Sequence, residues 1–198
     1  AFPRADILCE KPTEVNPWDS IQYNRKLLAA MNYRFHPGVR SMKEAVKGKD
    51  VKFAFARYSY YKAGRYGGPL LNCLHDFDAI GWATGLEFHG RSLNYLSGGM
   101  FYGWDGFNAA IQVVSDQCSH ERMRSMETHF VDGTEYEKVH WVEEGPPPNV
   151  ILTIDGKSEP CNLNTMYVEM MEEFITRRER TILPTIQATV ELAQRLKG

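Results

Sequence analysis

Val51-Lys52-Phe53-Ala54-Phe55-Ala56 sets Val51, Phe53 and Phe55 against Lys52, Ala54 and Ala56, a period of two that predicts a strand with one buried face. Its neighbours carry other periods. Upstream, Val39, Met42 and Val46 recur at helical spacing, and Gly48 follows as a stop. Downstream, Gly64, Gly67, Gly68 and Pro69 mark a loop, after which 70–82 reads as a helix rich in apolar residues. From about 92 to 154, β-branched and aromatic runs such as 111–114 and 150–154 are separated by turn residues. These are Gly98-Gly99, Asp132-Gly133, Pro146-Pro147-Pro148 and Asp155-Gly156, and they predict a meander of antiparallel strands. Two helices close the chain, one on Met166, Met170 and Phe174, the other on Ile186, Val190 and Ala193. Strands and helices segregate along the chain. That order predicts an α+β domain, an open and mainly antiparallel sheet with helices on one face.

The first 31 residues follow another plan. Asp6-Ile7-Leu8-Cys9 is a short apolar run stopped by Glu10-Lys11-Pro12, which reads as a buried strand ending in a polar turn. Pro17, with Asn16 as its cap, suits a helix start that turns Ile21, Leu27 and Leu28 inward, and 29–33 reads as a second short strand. The expected division is therefore 1–31, a βαβ remnant of a parallel-sheet domain, and 32–198, the α+β domain.

Composition excludes several function classes. Hydrophobic residues make up 43% and charged residues 24% of the 198, which is globular and neither disordered nor fibrous. Lys and Arg total 23 against 25 Asp and Glu, a formal net charge of −2, and the basic residues are scattered, so nucleic-acid binding is disfavoured. No apolar run reaches the roughly 18–20 residues that span a bilayer, and neither a membrane partner nor a secretion signal is expected. Cys9, Cys73, Cys118 and Cys161 form no Cys-x-x-Cys pair; four reduced thiols and a cytoplasmic location are the expectation. None of the six histidines stands at short metal-ligand spacing with a cysteine, so no metal is expected.

Three places can carry chemistry. Lys11 sits at the carboxyl end of a buried strand, where open α/β sheets bind ligands, and partial desolvation there lowers a lysine pKa toward neutrality. Asn72, His75 and Asp76 lie within one turn of the 70–82 helix, directly after the glycine-rich loop; a histidine, an amide and two acids interrupt an otherwise apolar run. Tyr33-Arg34-Phe35-His36-Pro37 sets an arginine beside aromatics, a pattern suited to a polar ligand, with His36 itself read as a surface residue. Tyr58, Tyr60, Tyr61 and Tyr66 could line a sugar site, although tyrosines on a half-buried strand are common. Met166, Met170 and Met171 read as core. A metal-dependent hydrolase built on His36, His75, Asp76 and Asp78 is a distant third reading, because Asp76 and Asp78 do not converge on a helix.

Leu8-Cys9-Glu10-Lys11-Pro12, Asn32-Tyr33-Arg34-Phe35-His36-Pro37, Gly67-Gly68 through His75-Asp76-Phe77-Asp78, and Met166-Tyr167 through Phe174 occur in an order that resembles the Gfo/Idh/MocA family of NAD(P)-dependent oxidoreductases. The resemblance implies that 1–31 is the end of a nucleotide-binding Rossmann domain and 32–198 a substrate-binding and oligomerising domain. It implies that Glu10, Lys11 and Pro12 lie by the nicotinamide of NAD or NADP, and that Lys11 and His75 are catalytic, His75 as acid or base. Arg34, Asn72 and Asp78 become candidate substrate contacts. The implied substrate is a hydroxyl or ketone of a sugar, cyclitol or sugar nucleotide, and the implied assembly a homo-oligomer through the open sheet face. No Gly-x-Gly-x-x-Gly occurs in the chain. The competing expectation is a non-catalytic sheet module that mediates oligomerisation or partner binding.

Overall fold

A computed structural model of the chain describes residues 7–10, 27–59, 69–95, 98–105, 109–116, 123–132, 135–144, 149–154, 157–161, 164–177 and 181–197. Its centre is β3 (Val51–Ser59), flanked in the sheet by β6 (Ala109–Asp116), which runs parallel to it, and by β7 (Met123–Asp132), which runs antiparallel. β4 (His89–Tyr95) and β5 (Gly98–Asp105) extend the sheet beyond β6. On the other side, β8 (Glu135–Glu144) pairs β7 through its first half and β9 (Asn149–Ile154) through its second, and β10 (Lys157–Cys161) is the edge. The order is β10-β9-β8-β7-β3-β6-β5-β4, with β3 and β6 the one parallel pair among these eight strands. The mixed α+β, mainly antiparallel architecture expected from the turn dipeptides is the architecture observed.

Which side of β3 is buried is not what its largest residues suggest. Ala54 and Ala56 are fully buried, whereas Phe53 and Phe55 are half-buried and Lys52 and Arg57 exposed. A register shift between Val51 and Phe53 on the β7 side changes the phase, so Val51 and Ala54, three residues apart, are both buried. Small residues let a helix approach the sheet closely. That helix is α2 (Pro69–Thr84), which packs on β3, β5 and β6, while α1 (Pro37–Ala45) packs on α2, β8 and β9. Ile111, Val113, Met126 and Thr128, the register neighbours of Ala54 and Ala56, are buried with them.

The helices fall close to the expected places. α1 buries Val39 and Met42, and Val46 just beyond its end; Gly48 then turns with φ 74°. α3 (Asn164–Thr176) buries Met166 and Met170, but Met171 is exposed beside Tyr167, Val168 and Ile175, against the expectation that it is core. α4 (Ile186–Lys197) buries Val190, Ala193 and Leu196. Thr185 caps it, its hydroxyl accepting from the Ala188 N–H at 3.1 Å.

Near the amino end, β1 (Ile7–Cys9) and β2 (Leu27–Ala29) pair in parallel. Two expectations are corrected here. Leu27 and Leu28 belong to a strand rather than to a helix face, and the second strand expected at 29–33 instead ends at Ala29, because Asn32–Phe35 is a 3-10 helix, η1. The expected helix start at Pro17 lies outside the described residues. β2 also meets the segment before α4: Leu28 bridges Thr185, and the Ala29 N–H donates to the Pro184 carbonyl at 2.8 Å.

Candidate functional site

α2 is an unusual helix because residues 73–80 are buried on every side. Cys73, Leu74, Phe77 and Ile80 account for its fit to the core, and His75, Asp76 and Asp78 are buried with them. Polar groups in that setting need partners, since an unpaired one costs about 1–3 kcal/mol. Asp78 finds Arg34 of η1. The Arg34 Nε donates to Asp78 Oδ2 at 2.8 Å and Nη2 donates to Oδ1 at 2.6 Å, a bidentate pair. The remaining Nη1 donates to the Ile182 carbonyl. On the other side of Ile182, its N–H donates to the buried Glu173 Oε1 at 2.9 Å.

His75 lies against Tyr33, edge to face, with ring centroids 5.4 Å apart and planes at 74°. Tyr33 in turn lies 6.1 Å from the His36 ring. η1 is therefore the wall that holds His75. His36, expected at the surface, is fully buried: its Nδ1 accepts the Gly38 N–H at 3.0 Å and so caps α1, with Pro37 at the first helical position. An imidazole that caps through Nδ1 must carry no proton there, and burial pushes its pKa down to about 3. Lys43, on the far side of α1, donates to the Trp82 carbonyl at 2.6 Å and stands 4.2 Å from the centre of the Trp82 ring. Burial, together with the nearby Arg34, lowers its pKa, against a smaller raising effect of Glu44.

Glu10 is exposed at the end of β1. Lys11 and Pro12 lie outside the described residues, as do the side chains of Asn72 and Tyr58 and the whole of Tyr60, Tyr61 and Tyr66. The structure thus brings together His75, Arg34 and Asp78, and gives Arg34 and Asp78 to each other. What sequence reasoning missed is the support: Tyr33 against His75, Lys43 on Trp82, and Glu173 under Ile182. Only Tyr33 carried a local signal, its place in the aromatic stretch before Pro37. A cavity of about 150 Å³ opens beside the Arg34–Asp78 pair, between α2 and α4, and His75 is not in its lining. Among the described residues no group of three or more His, Cys, Asp or Glu is placed to hold a metal ion.

No family model matches the sequence, and no curated protein matches it. Solved structures do. An oxidoreductase domain protein from Kribbella flavida superposes with a TM-score of 0.70 at 12% identity, over 96% of this chain and 70% of that one. The aldose-aldose oxidoreductase from Caulobacter crescentus gives 0.68 at 14% identity, over 96% and 67%. The UDP-N-acetylglucosamine 3-dehydrogenase from Acidithiobacillus ferrooxidans gives 0.66 at 12%, also over 96% and 67%. This chain shares their fold.

Two outcomes are expected of the η1 wall. Arg34→Met leaves Asp78 buried without its counter-ion, which costs about 3–5 kcal/mol and lowers Tm by roughly 6–20 °C; the double variant with Asp78→Leu recovers part of that loss. A shift within experimental error in the single variant rules out a structural role for the pair. For His36, the unfolded chain takes up a proton near pH 6.5 and the folded chain only near 3. Stability from this group is complete above 6.5 and falls as pH drops toward 3, by up to about 1.4 kcal/mol per pH unit. Urea unfolding of His36→Asn, which keeps a capping acceptor, should show a shallower loss between pH 6.5 and 4; parallel curves contradict the assignment.

Proposed function

We propose that this chain is the substrate-binding and catalytic portion of an NAD(P)-dependent oxidoreductase acting on a hydroxyl or ketone of a sugar, cyclitol or sugar nucleotide. The observation that supports it most is His75, an imidazole on a helix buried all round, held edge-on by Tyr33, in a fold shared with an aldose-aldose oxidoreductase and a UDP-N-acetylglucosamine dehydrogenase. Oxidising an alcohol requires a base for its hydroxyl proton, and reducing a ketone requires an acid. Imidazole suits both because its ordinary pKa is near neutrality.

In this reading His75 takes or returns the proton of the substrate oxygen, and Lys11 polarises that oxygen. Glu10 and Pro12 flank the cofactor with Lys11. Asn72, three residues before His75, contacts substrate, and Arg34 and Asp78 shape the substrate wall as a rigid pair. A nicotinamide would supply hydride exchange when bound. The chain's residues do not include the Gly-x-Gly-x-x-Gly loop that cradles a dinucleotide pyrophosphate, so the proposal gives this chain the proton chemistry and the substrate, not the phosphates. The parallel pair β1–β2 fits a piece of a Rossmann domain, residues 1–31, joined to the substrate domain 32–198. Cys9 and Cys73 are in no disulfide, which suits the cytoplasm.

The test is turnover with NAD and with NADP over a panel of aldoses, cyclitols and sugar nucleotides, for the protein and for Lys11→Ala and His75→Ala. Both variants should lose about 10²–10⁴-fold while keeping the far-UV circular dichroism of the parent. Unchanged turnover in either variant removes that residue's role.

The second reading, a non-catalytic sheet module, draws on Phe53 and Phe55. They are half-buried and alternate with the helix-covered Ala54 and Ala56, which leaves aromatic surface on the other sheet face for a second copy of the chain. Sedimentation velocity should show a dimer that Phe55→Glu converts to monomer. A dimer together with no cofactor-induced rise in Tm favours this reading over the enzyme.

A further inference from the structure

We propose that the cavity between α2 and α4 is a binding site for a small organic carboxylate with a compact apolar body, its acid group taken by Arg195. The site is separate from the proton chemistry of His75 and stands or falls without it.

The walls are apolar and fixed. Phe77 and Phe88 are fully buried and meet edge to face, centroids 6.3 Å apart, and Leu192 closes the side from α4. Trp82 is held by Lys43 through both its carbonyl and its ring. A cavity of about 150 Å³ is of the size that accepts a benzene ring in an apolar protein interior.

Four charged side chains line it: Arg34, Asp78, Glu87 and Arg195. They do not cancel evenly. Both Asp78 oxygens accept from Arg34, whose Nη1 also donates to the Ile182 carbonyl, so the charges of that pair neutralise each other. Glu87 is exposed at the rim, where water screens it. Arg195 is the exception. Its guanidinium lines the cavity, and its Nε is buried with no hydrogen-bond partner among the described residues. The cavity therefore combines a ring-sized, largely apolar volume with one guanidinium that no described residue pairs. A carboxylate accepts from the Arg195 guanidinium with a charge-assisted bond while its ring replaces solvent against Phe77 and Leu192. A neutral ring gains only the second part, and acetate only the first.

Benzoate is the probe. Titrated into the 15N-labelled protein, it should saturate, shift the Arg195 Nε–H resonance and raise Tm. Benzyl alcohol, the same ring without charge, should bind at least about tenfold more weakly, as should acetate. Arg195→Gln should abolish the preference for benzoate over benzyl alcohol. Ala188→Trp, at an exposed rim position of α4, should block both while leaving Arg195 in place, and it serves if Arg195→Gln fails to fold. Glu87→Gln removes the rim acid and should tighten benzoate about two- to threefold at low salt. The proposal is overturned if benzoate and benzyl alcohol bind alike, if Arg195→Gln binds benzoate as the parent does, if Glu87→Gln weakens it, or if the Arg195 resonance does not move.

Discussion

The Arg34 guanidinium ties together three separate elements of the described molecule. Its donors reach Asp78 in α2 and the Ile182 carbonyl, and Ile182 is held from the other side by Glu173 of α3. Two residues further on, Pro184 and Thr185 dock on β2 and begin α4. One planar cation thus fixes η1, α2 and the strap that joins α3 to α4. Burying such charges is costly, and the geometry must be close to ideal to offset it. Two short parallel bonds to one carboxylate meet that requirement. The position of His75 follows from it, since η1 supplies Tyr33 and α2 supplies His75.

The fold was legible where a period of 3.6 or a turn dipeptide stood alone. Met166, Met170 and Phe174 locate α3, and Asp132-Gly133 and Asp155-Gly156 locate hairpins, because apolar stripes and turn-forming dipeptides are local properties. Reading failed where tertiary context chose between local options. In Asn32-Tyr33-Arg34-Phe35, two buried aromatics flank an arginine and mimic a strand, yet the segment is a single turn of 3-10 helix that places Tyr33 and Phe35 inward together. On β3, one register shift against β7 was enough to bury alanines in place of phenylalanines.

The candidate site was partly legible for the same reason. His75 stands out as an imidazole in an apolar helix, a local contrast. His36 looked like a surface residue because histidine is not among the usual caps, and only the approach of the Gly38 N–H reveals its work. Arg34 and Asp78 were recognisable as charged residues with something to bind, but they are 44 residues apart and each is the other's partner. Residue type announces that a partner is needed; only the fold says which.

The bond from Arg34 to Ile182 spans 148 positions of sequence. A contact of that range forms late, because a long loop must close before it contributes anything. Chain leaving the ribosome can join η1 to α2 through Arg34 and Asp78, but the tie from that pair to the segment before α4 waits until residue 182 has emerged. Until then Arg34 and Asp78 stand as a pair without their third contact, and the segment before α4 has no anchor on η1.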